Sequence, residues 1–157
     1  MDTIKAGKYL TFKLADEDYG LSLLKVREII GMMPITSVPR TPDFIKGVIN
    51  LRGKVIPVTD LRRRFDMPEI GYTDRTCIIV VEIQTAESTL QMGIVVDAVT
   101  EVLPVREEEI EPAPEFGASV DTRYILGMAN MEGAVKILLD IDRVLTTEEI
   151  AEIEKAA

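Results

Sequence analysis

Hydrophobic and polar residues alternate along much of the chain, and this period of two is typical of half-buried β-strands. The alternation covers residues 9–14 and 19–23, and the residues between them have the composition of a turn. A second pair of apolar segments, residues 48–51 and 55–59, flanks Arg52-Gly53-Lys54, whose glycine suits a tight turn. The pattern therefore predicts two β-hairpins in this part of the chain.

One short helix is predicted after the first hairpin. Its apolar residues fall on one helical face: Leu23, Val26, Ile29 and Ile30. Ser22 is a suitable N-cap, and Gly31 is a suitable residue to end the helix. We therefore expect a helix that ends near Ile30, with Val26 and Ile29 on its buried side.

Strand patterns return in the second half of the chain. Residues 76–83 and 90–96 are predicted to pair, and the strand pattern resumes over residues 124–142. The proline- and acid-rich residues 104–123 indicate an irregular connection. Thr146 and Glu149 form a capping box, which predicts a C-terminal helix over residues 146–157.

The chain contains an internal repeat. An offset of 80 residues aligns residues 44–65 with residues 124–145 without a gap, and seven of the 22 aligned positions are identical. The identical pairs are Ile45/Ile125, Gly47/Gly127, Asn50/Asn130, Gly53/Gly133, Val55/Val135, Asp60/Asp140 and Arg63/Arg143. Upstream, an offset of 73 aligns Gly20 with Gly93, Val26 with Val99 and Glu28 with Glu101. The chain therefore carries two copies of one unit.

Each copy offers about five short strands, and a set that small removes its exposed edges by curling into a barrel. We predict an all-β fold, mainly β with short helices, of two repeated five-stranded β-barrels packed side by side. Residues 1–157 would form one domain with subdomains at about 15–75 and 76–145, whose termini are allowed to exchange between them.

Composition narrows the function. The chain has 157 residues, 46% of them hydrophobic, which is enough for a core, and its apolar runs are too short to cross a bilayer. It has one cysteine and no secretory signal pattern, so we expect the reducing cytoplasm. A net charge of -9 repels phosphate backbones and anionic headgroups, which argues against a nucleic-acid partner or direct membrane binding.

The absence of histidine removes the commonest general base and the favoured zinc ligand. Cys77 lies in an apolar segment, where core packing explains it better than nucleophilic chemistry. Paired carboxylates could still support an acidic hydrolase, and the pairs considered are Asp140 with Asp142 and Asp60 with Asp97. Each acid is better explained as a cap or turn residue. We therefore predict a non-enzymatic protein without catalytic residues, cofactor or metal.

The repeat also separates structural from functional residues, since features kept in both copies serve the common fold. Gly47, Gly53 and Asn50 belong to this structural group, with both glycines assigned to tight turns. Arg52 does not, because its counterpart is Glu132. An arginine that the fold does not require, at the tip of a hairpin, is a good planar donor for a partner.

Several segments resemble a known family. They are Tyr19-Gly20, Val26-Arg27-Glu28-Ile29, residues 44–53 (FIKGVINLRG), residues 55–62 (VIPVTDLR), residues 93–97 (GIVVD) and residues 112–116 (PAPEF). Together they are similar to the CheW-like family of bacterial chemotaxis coupling proteins, over roughly residues 8–147. The Asn-Leu-Arg-Gly hairpin with its flanking segment is quite specific to this family.

The resemblance implies two SH3-like barrels around a shared hydrophobic interface, and a non-enzymatic adaptor. Its partners would be the regulatory domain of the histidine kinase CheA and the cytoplasmic hairpin tip of chemoreceptors (methyl-accepting chemotaxis proteins). The adaptor would lie in the cytoplasm, peripheral to membrane receptor arrays, and would meet the membrane only through receptors.

The resemblance also implies a set of partner-binding residues: Val26, Glu28, Ile29, Asn50, Leu51 and Arg52. Glu28 and Arg52 are expected to pair with each other. Kinase contacts are implied at the barrel ends, near Ile56 and Pro57. Two alternatives stay open: a CheW-like module of a CheV or CheA-type protein, and an adaptor of a related non-flagellar chemosensory pathway.

Overall fold

The computed structural model describes residues 6–68, 70–84, 89–112, 124–131 and 133–144. The helix predicted at residues 146–157 lies outside these residues. No helix in the described part of the chain is long and apolar enough to cross a membrane.

Eleven strands make up most of the described chain and form two sheets. The strands are β1 (Gly7–Leu14), β2 (Glu17–Ser22), β3 (Val26–Gly31), β4 (Ile45–Leu51), β5 (Lys54–Asp60), β6 (Cys77–Gln84), β7 (Thr89–Val96), β8 (Ala98–Val105), β9 (Ile110–Glu111), β10 (Ile125–Met131) and β11 (Ala134–Leu139). A six-stranded sheet has the order β8-β1-β2-β11-β10-β9, and a five-stranded sheet has the order β3-β6-β7-β5-β4. The mainly β fold class is confirmed, and the two sheets correspond to the two predicted barrels.

The predicted hairpins are present. β1 pairs with β2, β4 with β5, β6 with β7 and β10 with β11, all antiparallel. The first two turns contain residues with positive φ: Ala15 and Asp16 at 51° and 72°, and Arg52 and Gly53 at 54° and 84°. Two consecutive positive φ angles are what a two-residue hairpin turn requires, because its twist then matches that of the strands.

The predicted helix at residues 23–30 is wrong. Only Leu23–Lys25 form a 3₁₀ turn, whose N-cap is Ser22 as expected, and the chain then continues as β3. Val26, Glu28 and Ile30 are the partly buried residues of this strand, while Ile29 is exposed. The alternation of a strand was not recognised because Glu28 occupies a partly buried position and Ile29 an exposed one. The spacing of the apolar residues was also consistent with one face of a helix.

The expected irregular connection at residues 104–123 is only partly correct. Pro104 and Val105 complete β8, Glu107–Glu109 form a 3₁₀ turn and Ile110–Glu111 form β9. Residues 113–123 lie outside the described part of the chain. β8 lies at one edge of the six-stranded sheet, which accommodates a proline without loss of a central ladder bond.

The internal repeat is also a structural repeat. β4 and β10 each carry a register shift at equivalent positions, before Gly47 and Gly127. The backbone N–H groups of Asp60 and Asp140 donate to the carbonyls of Phe44 and Tyr124, both at 2.8 Å. Each aspartate also caps the helical turn that follows, which is α1 (Leu61–Arg64) in the first copy and a 3₁₀ turn (Ile141–Arg143) in the second.

The chain crosses between the sheets twice. β2 belongs to the six-stranded sheet and β3 to the five-stranded sheet, whereas β7 and β8 make the reverse crossing. Each sheet therefore takes strands from both sides of residue 75. The division into subdomains at about residues 15–75 and 76–145 stays a prediction.

The largest hydrophobic core lies between the two sheets. It draws buried side chains from both of them, including Phe12, Tyr19, Phe65, Ile79, Ile94 and Tyr124. Smaller clusters fill the two units separately, one around Ile56 and Ile78 and the other around Tyr9 and Leu138. β6 is buried on both faces because it serves both the shared core and that of its own unit.

Equivalent residues of the two copies meet at the margin of the shared core, where Arg64 is partly exposed. The guanidinium carbon of Arg64 lies 4.6 Å from the ring centroid of Phe44 and 5.1 Å from that of Tyr124, its repeat equivalent. Nε of Arg64 donates to the carbonyl of Val144 at 2.6 Å, and Val144 is the repeat equivalent of Arg64 itself. A planar cation can stack on two rings at once, so Arg64 ties the copies together.

Candidate partner-binding surface

The ends of the five-stranded sheet approach each other. Beyond β3, Thr36 exchanges two backbone hydrogen bonds with Val48 of β4, at 2.8 and 2.9 Å. β9 makes the equivalent contact with β10 in the other unit, where Glu111 pairs with Met128. The chain that leaves β3 therefore returns to the opposite edge strand and curls the sheet.

Gly47 is required by this closure and does not lie in a turn as predicted. It is part of β4 with φ at 149°, and a Cβ there would collide with the carbonyl oxygen of Thr36 and lie 2.7 Å from its carbon. Gly127 is similarly close to β9, since a Cβ would lie 2.6 Å from Cγ2 of Ile110 and 3.0 Å from the Glu111 carbonyl oxygen. The repeated glycine thus allows a backbone contact that any side chain would block.

Glu28 and Arg52 form an ion pair across the closed edge. Glu28 lies in β3 and Arg52 in the turn between β4 and β5, so their strands are at opposite ends of the sheet order. The side chains are 32% and 69% exposed. A hydrogen bond from the guanidinium to the Glu28 carboxylate, together with its charge, raises the pKa of Arg52 above its usual value. Most of this arginine is available to a partner.

Two apolar residues, Ile29 and Leu51, are the chain neighbours of this pair. Ile29 is 45% exposed, and Leu51 is partly buried against the core of the five-stranded unit. Val26 is partly buried against the shared core. Glu28, Ile29, Leu51 and Arg52 therefore lie where edge strand β3 and the β4–β5 hairpin meet, and Val26 lies nearer the boundary between the sheets.

Asn50 has a structural task within the same hairpin. Its Oδ1 accepts a hydrogen bond from the N–H of Gly53 at 2.8 Å, which holds the turn that carries Arg52. Gly53 is in the turn as predicted, and a Cβ at this position would meet nothing within 4 Å. Its positive φ rather than crowding is the reason for a glycine there.

The implied kinase region contains few accessible side chains. Ile56 and Pro57 are both buried, whereas Lys54 and Val55 before them in β5 are exposed. Val55 is 55% exposed and its repeat equivalent Val135 is 54% exposed. Sequence reasoning missed this pair, although the offset of 80 residues already aligned the two valines.

A second equivalent pair lies on β3 and β8, and of its two members only Val102 was missed, since Ile29 is among the predicted partner-binding residues. Ile29 and Val102 are both 45% exposed, and they correspond under the offset of 73 residues. Exposed apolar residues at equivalent positions in both copies are not needed by the shared core. The sequence feature that identifies this pair is an apolar residue directly after the aligned acid in each copy, Glu28 and Glu101.

A shallow groove lies beside the closed edge. It has a volume of about 600 Å³ and is lined by apolar and cationic residues: Met32, Met33, Pro34, Ile35, Lys46, Arg63 and Tyr72. Lys46 Nζ lies 5.2 Å from the centroid of the Tyr72 ring. Methionine-rich surfaces adapt to differently shaped partners, and Met32 and Met33 pack against the same small core as Leu51.

The carboxylates considered for hydrolysis are all engaged in structural contacts. Asp60 and Asp140 cap the turns that follow them. Asp97 pairs with Arg62, and Asp142 pairs with Lys25. Burial raises the pKa of the Cys77 thiol, which disfavours the reactive thiolate. Among the described residues, no group of three or more acids and cysteines could hold a metal ion.

Comparison with known proteins places this fold and surface in a family. The profile described as the CheW-like domain matches residues 8–149. The chemotaxis protein CheW of Klebsiella aerogenes is 41% identical over 150 residues, which cover 96% of this chain and 88% of that protein. The chemotaxis protein CheW of Bacillus subtilis is 38% identical over 147 residues, which cover 92% of this chain and 91% of that protein.

The crystal structure of the scaffolding protein TtCheW from Thermoanaerobacter tengcongensis matches with a TM-score of 0.81 and 37% identity. The match covers 94% of this chain and 92% of that one. The relatives are named as chemotaxis and scaffolding proteins, which confirms that this chain is not an enzyme. The chain belongs to the CheW-like domain family.

Proposed function

We propose that this protein is a chemotaxis scaffold that couples chemoreceptors to the histidine kinase CheA. It would bind the regulatory domain of the kinase and the helical hairpin tip of the receptor, on the cytoplasmic side of the membrane. Support comes from relatives of nearly equal length named as chemotaxis proteins, and from a matching structure named as a scaffolding protein.

The observation that carries the proposal is the position of Arg52. The other copy of the repeat has an acid at the equivalent position, so the fold does not require a cation at this turn. The ion pair with Glu28 is mostly exposed, and such pairs contribute little to stability. A planar guanidinium held by Glu28, next to a strand that also exposes Ile29, is instead suited to recognition of a protein partner.

The surface chemistry suits a helical partner. A helix presents apolar residues every three or four positions, and these pack well into a shallow apolar surface with a few charged groups at its rim. The exposed side chains of Ile29 and Arg52 offer both types of contact within one region. A receptor hairpin tip is therefore the partner assigned to this surface.

The proposal is tested by calorimetric titration of the purified protein with two ligands in separate experiments: the regulatory domain of a CheA kinase from the same source, and a receptor-tip hairpin fragment. Saturable binding to the kinase domain and weaker binding to the tip are expected. A reconstituted assay should then show that receptor-dependent kinase activity requires this protein. Absence of binding to both ligands would refute the proposal and leave the fold unaffected.

A further inference from the structure

Each crossing between the sheets is held by an ion pair. The first crossing passes through Lys25, between β2 of the six-stranded sheet and β3 of the five-stranded sheet. The second passes through Asp97, between β7 and β8 in the reverse direction. Both residues are bonded to the helical turn that ends the repeat unit, Lys25 to Asp142 and Asp97 to Arg62.

The Arg62 clamp consists of Arg62, Asp97 and Ala15. Nε and Nη2 of Arg62 donate to the two oxygens of the Asp97 carboxylate at 2.9 and 2.7 Å, and Nη1 donates to the carbonyl of Pro68 at 2.7 Å. The backbone N–H of Ala15, in the six-stranded sheet, donates to the same carboxylate at 2.9 Å. Asp97 therefore links α1, which follows the five-stranded sheet, to the β1–β2 hairpin of the other sheet.

The Lys25 clamp consists of Lys25, Asp142 and Gln84. Nζ of Lys25 lies 2.7 Å from Oδ2 of Asp142. The backbone N–H of Gln84, the last residue of β6 in the five-stranded sheet, donates to Oδ1 of Asp142 at 2.9 Å. Asp142 follows β11 of the six-stranded sheet, so this carboxylate also connects the two sheets.

The terminal-turn residues of the two clamps are equivalent and carry opposite charges. Arg62 and Asp142 are aligned by the offset of 80 residues, so the terminal turn carries the cation in one copy and the acid in the other. In both copies one carboxylate accepts from a cation and from a backbone N–H of the opposite hairpin. The terminal turn carries a cation in one copy and an acid in the other, yet both copies keep the ion pair. The geometry of the ion pair is therefore what the fold requires, and not a particular charge at either residue.

We propose that Asp97 and Asp142 are positioning residues that set the angle between the two sheets, and with it the spacing between surfaces on the two units. The shared core is apolar side-chain packing, which is not directional, whereas hydrogen bonds to a carboxylate fix both distance and direction. The proposal does not depend on which partners bind.

The test measures a distance between the two sheets that changes with this angle. Spin labels are placed at Val55→Cys and Val135→Cys, two exposed equivalent positions on different sheets, in a Cys77→Ala background. Double electron–electron resonance then gives the distance distribution between the labels. The variants are Asp97→Asn and Asp142→Asn. The control is Asp18→Asn, which weakens ion pairs with Lys13 and Lys136 inside the six-stranded sheet.

A single narrow distribution is expected for the parent and for the Asp18 control, and a broader or shifted one for each clamp variant. The double variant Arg62→Asp with Asp97→Lys places the acid on the terminal turn and the cation on the crossing, as in the Lys25 clamp. Its distance distribution should be narrower than that of Arg62→Asp alone. Circular dichroism confirms that each variant is folded. If Asp97→Asn does not fold, the more exposed Asp142 decides the test. Parent-like distances in the folded clamp variants would overturn the proposal.

Discussion

Arg52 and Glu28 form an ion pair although their strands lie at opposite ends of the five-stranded sheet. The contact exists because the chain beyond β3 returns to β4 and curls the sheet, so two edges that are distant in strand order become neighbours. The pair therefore depends on the closed form of the unit and marks where β3 and the β4–β5 hairpin meet.

Arg52→Ala should weaken receptor-dependent activation of the kinase and leave folding intact. The guanidinium is largely exposed and its repeat counterpart is an acid, so the core does not depend on it. The measurement is kinase activity in a reconstituted receptor assay, with the melting temperature followed by circular dichroism.

A matched control for this variant is Arg27→Ala. Arg27 is also an exposed arginine, on the same edge strand β3, and it pairs with Glu82 of β6. It should leave both activity and melting temperature close to wild type. Unchanged receptor-dependent activity in Arg52→Ala would rule out the recognition role of this residue.

Gly47→Ala should destabilise the protein by more than about 3 kcal/mol, because the new Cβ collides with the Thr36 backbone and the residue has a positive φ. The measurement is urea denaturation at neutral pH. Gly71→Ala is the control, since a Cβ at Gly71 meets nothing within 4 Å and its φ is not positive. Equal midpoints for the two variants would contradict the role of Gly47 in closing the sheet.

Asp97→Asn should lower stability at pH 7 by about 2 kcal/mol, because Arg62 keeps only a neutral partner in a mostly buried site. Burial disfavours the charged carboxylate, but hydrogen bonds from Arg62 and Ala15 outweigh it and hold the pKa of Asp97 below its ordinary value. Its contribution is therefore complete above the unfolded pKa of about 3.9 and is lost as the pH falls through the folded pKa. Urea midpoints of the wild type and the variant should converge at acid pH.

Asp140 provides a control, because its pKa is shifted in the opposite direction to that of Asp97. Burial, followed by the charge of Asp142, raises the pKa of Asp140. The ionised form of Asp140 is therefore less favourable in the folded protein than in the unfolded chain. Ionisation of Asp140 lowers the free energy of unfolding as the pH rises from the unfolded pKa through the raised pKa. Asp140→Asn should flatten the pH dependence of stability in this window, while its amide oxygen can still accept from the N–H of Asp142. A steeper dependence in the variant would contradict the assignment.

Arg64→Lys should reduce stability by about 1 kcal/mol, because an ammonium group keeps the charge but cannot stack on Phe44 and Tyr124 as a planar group does. Thermal denaturation is the measurement. Arg75→Lys, an exchange at an exposed loop position, is the control and should be neutral. A melting temperature for Arg64→Lys equal to that of the control would show that the stacking is not needed.

The sequence was misread at β3, and the reason is tied to the surface. Half-buried strands are recognised by apolar residues on the inside and polar ones on the outside. Here Glu28 occupies a partly buried position of the strand and pairs with Arg52, while Ile29 next to it is exposed. The positions that broke the pattern are those now assigned to a partner, as expected where function overrides local consistency.

Most strands, the turn chemistry and the existence of two equivalent units could be predicted from the sequence, because alternation, turn residues and an offset of 80 residues are all local or periodic features. Only the tertiary structure showed that the chain crosses between the sheets after β2 and again after β7, and that Gly47 lies against Thr36. It also decided that Arg62 pairs with Asp97 and Lys25 with Asp142. Local preferences specify that a segment is a strand, but which edge it joins depends on contacts with residues distant in the chain, and no period in the sequence records them.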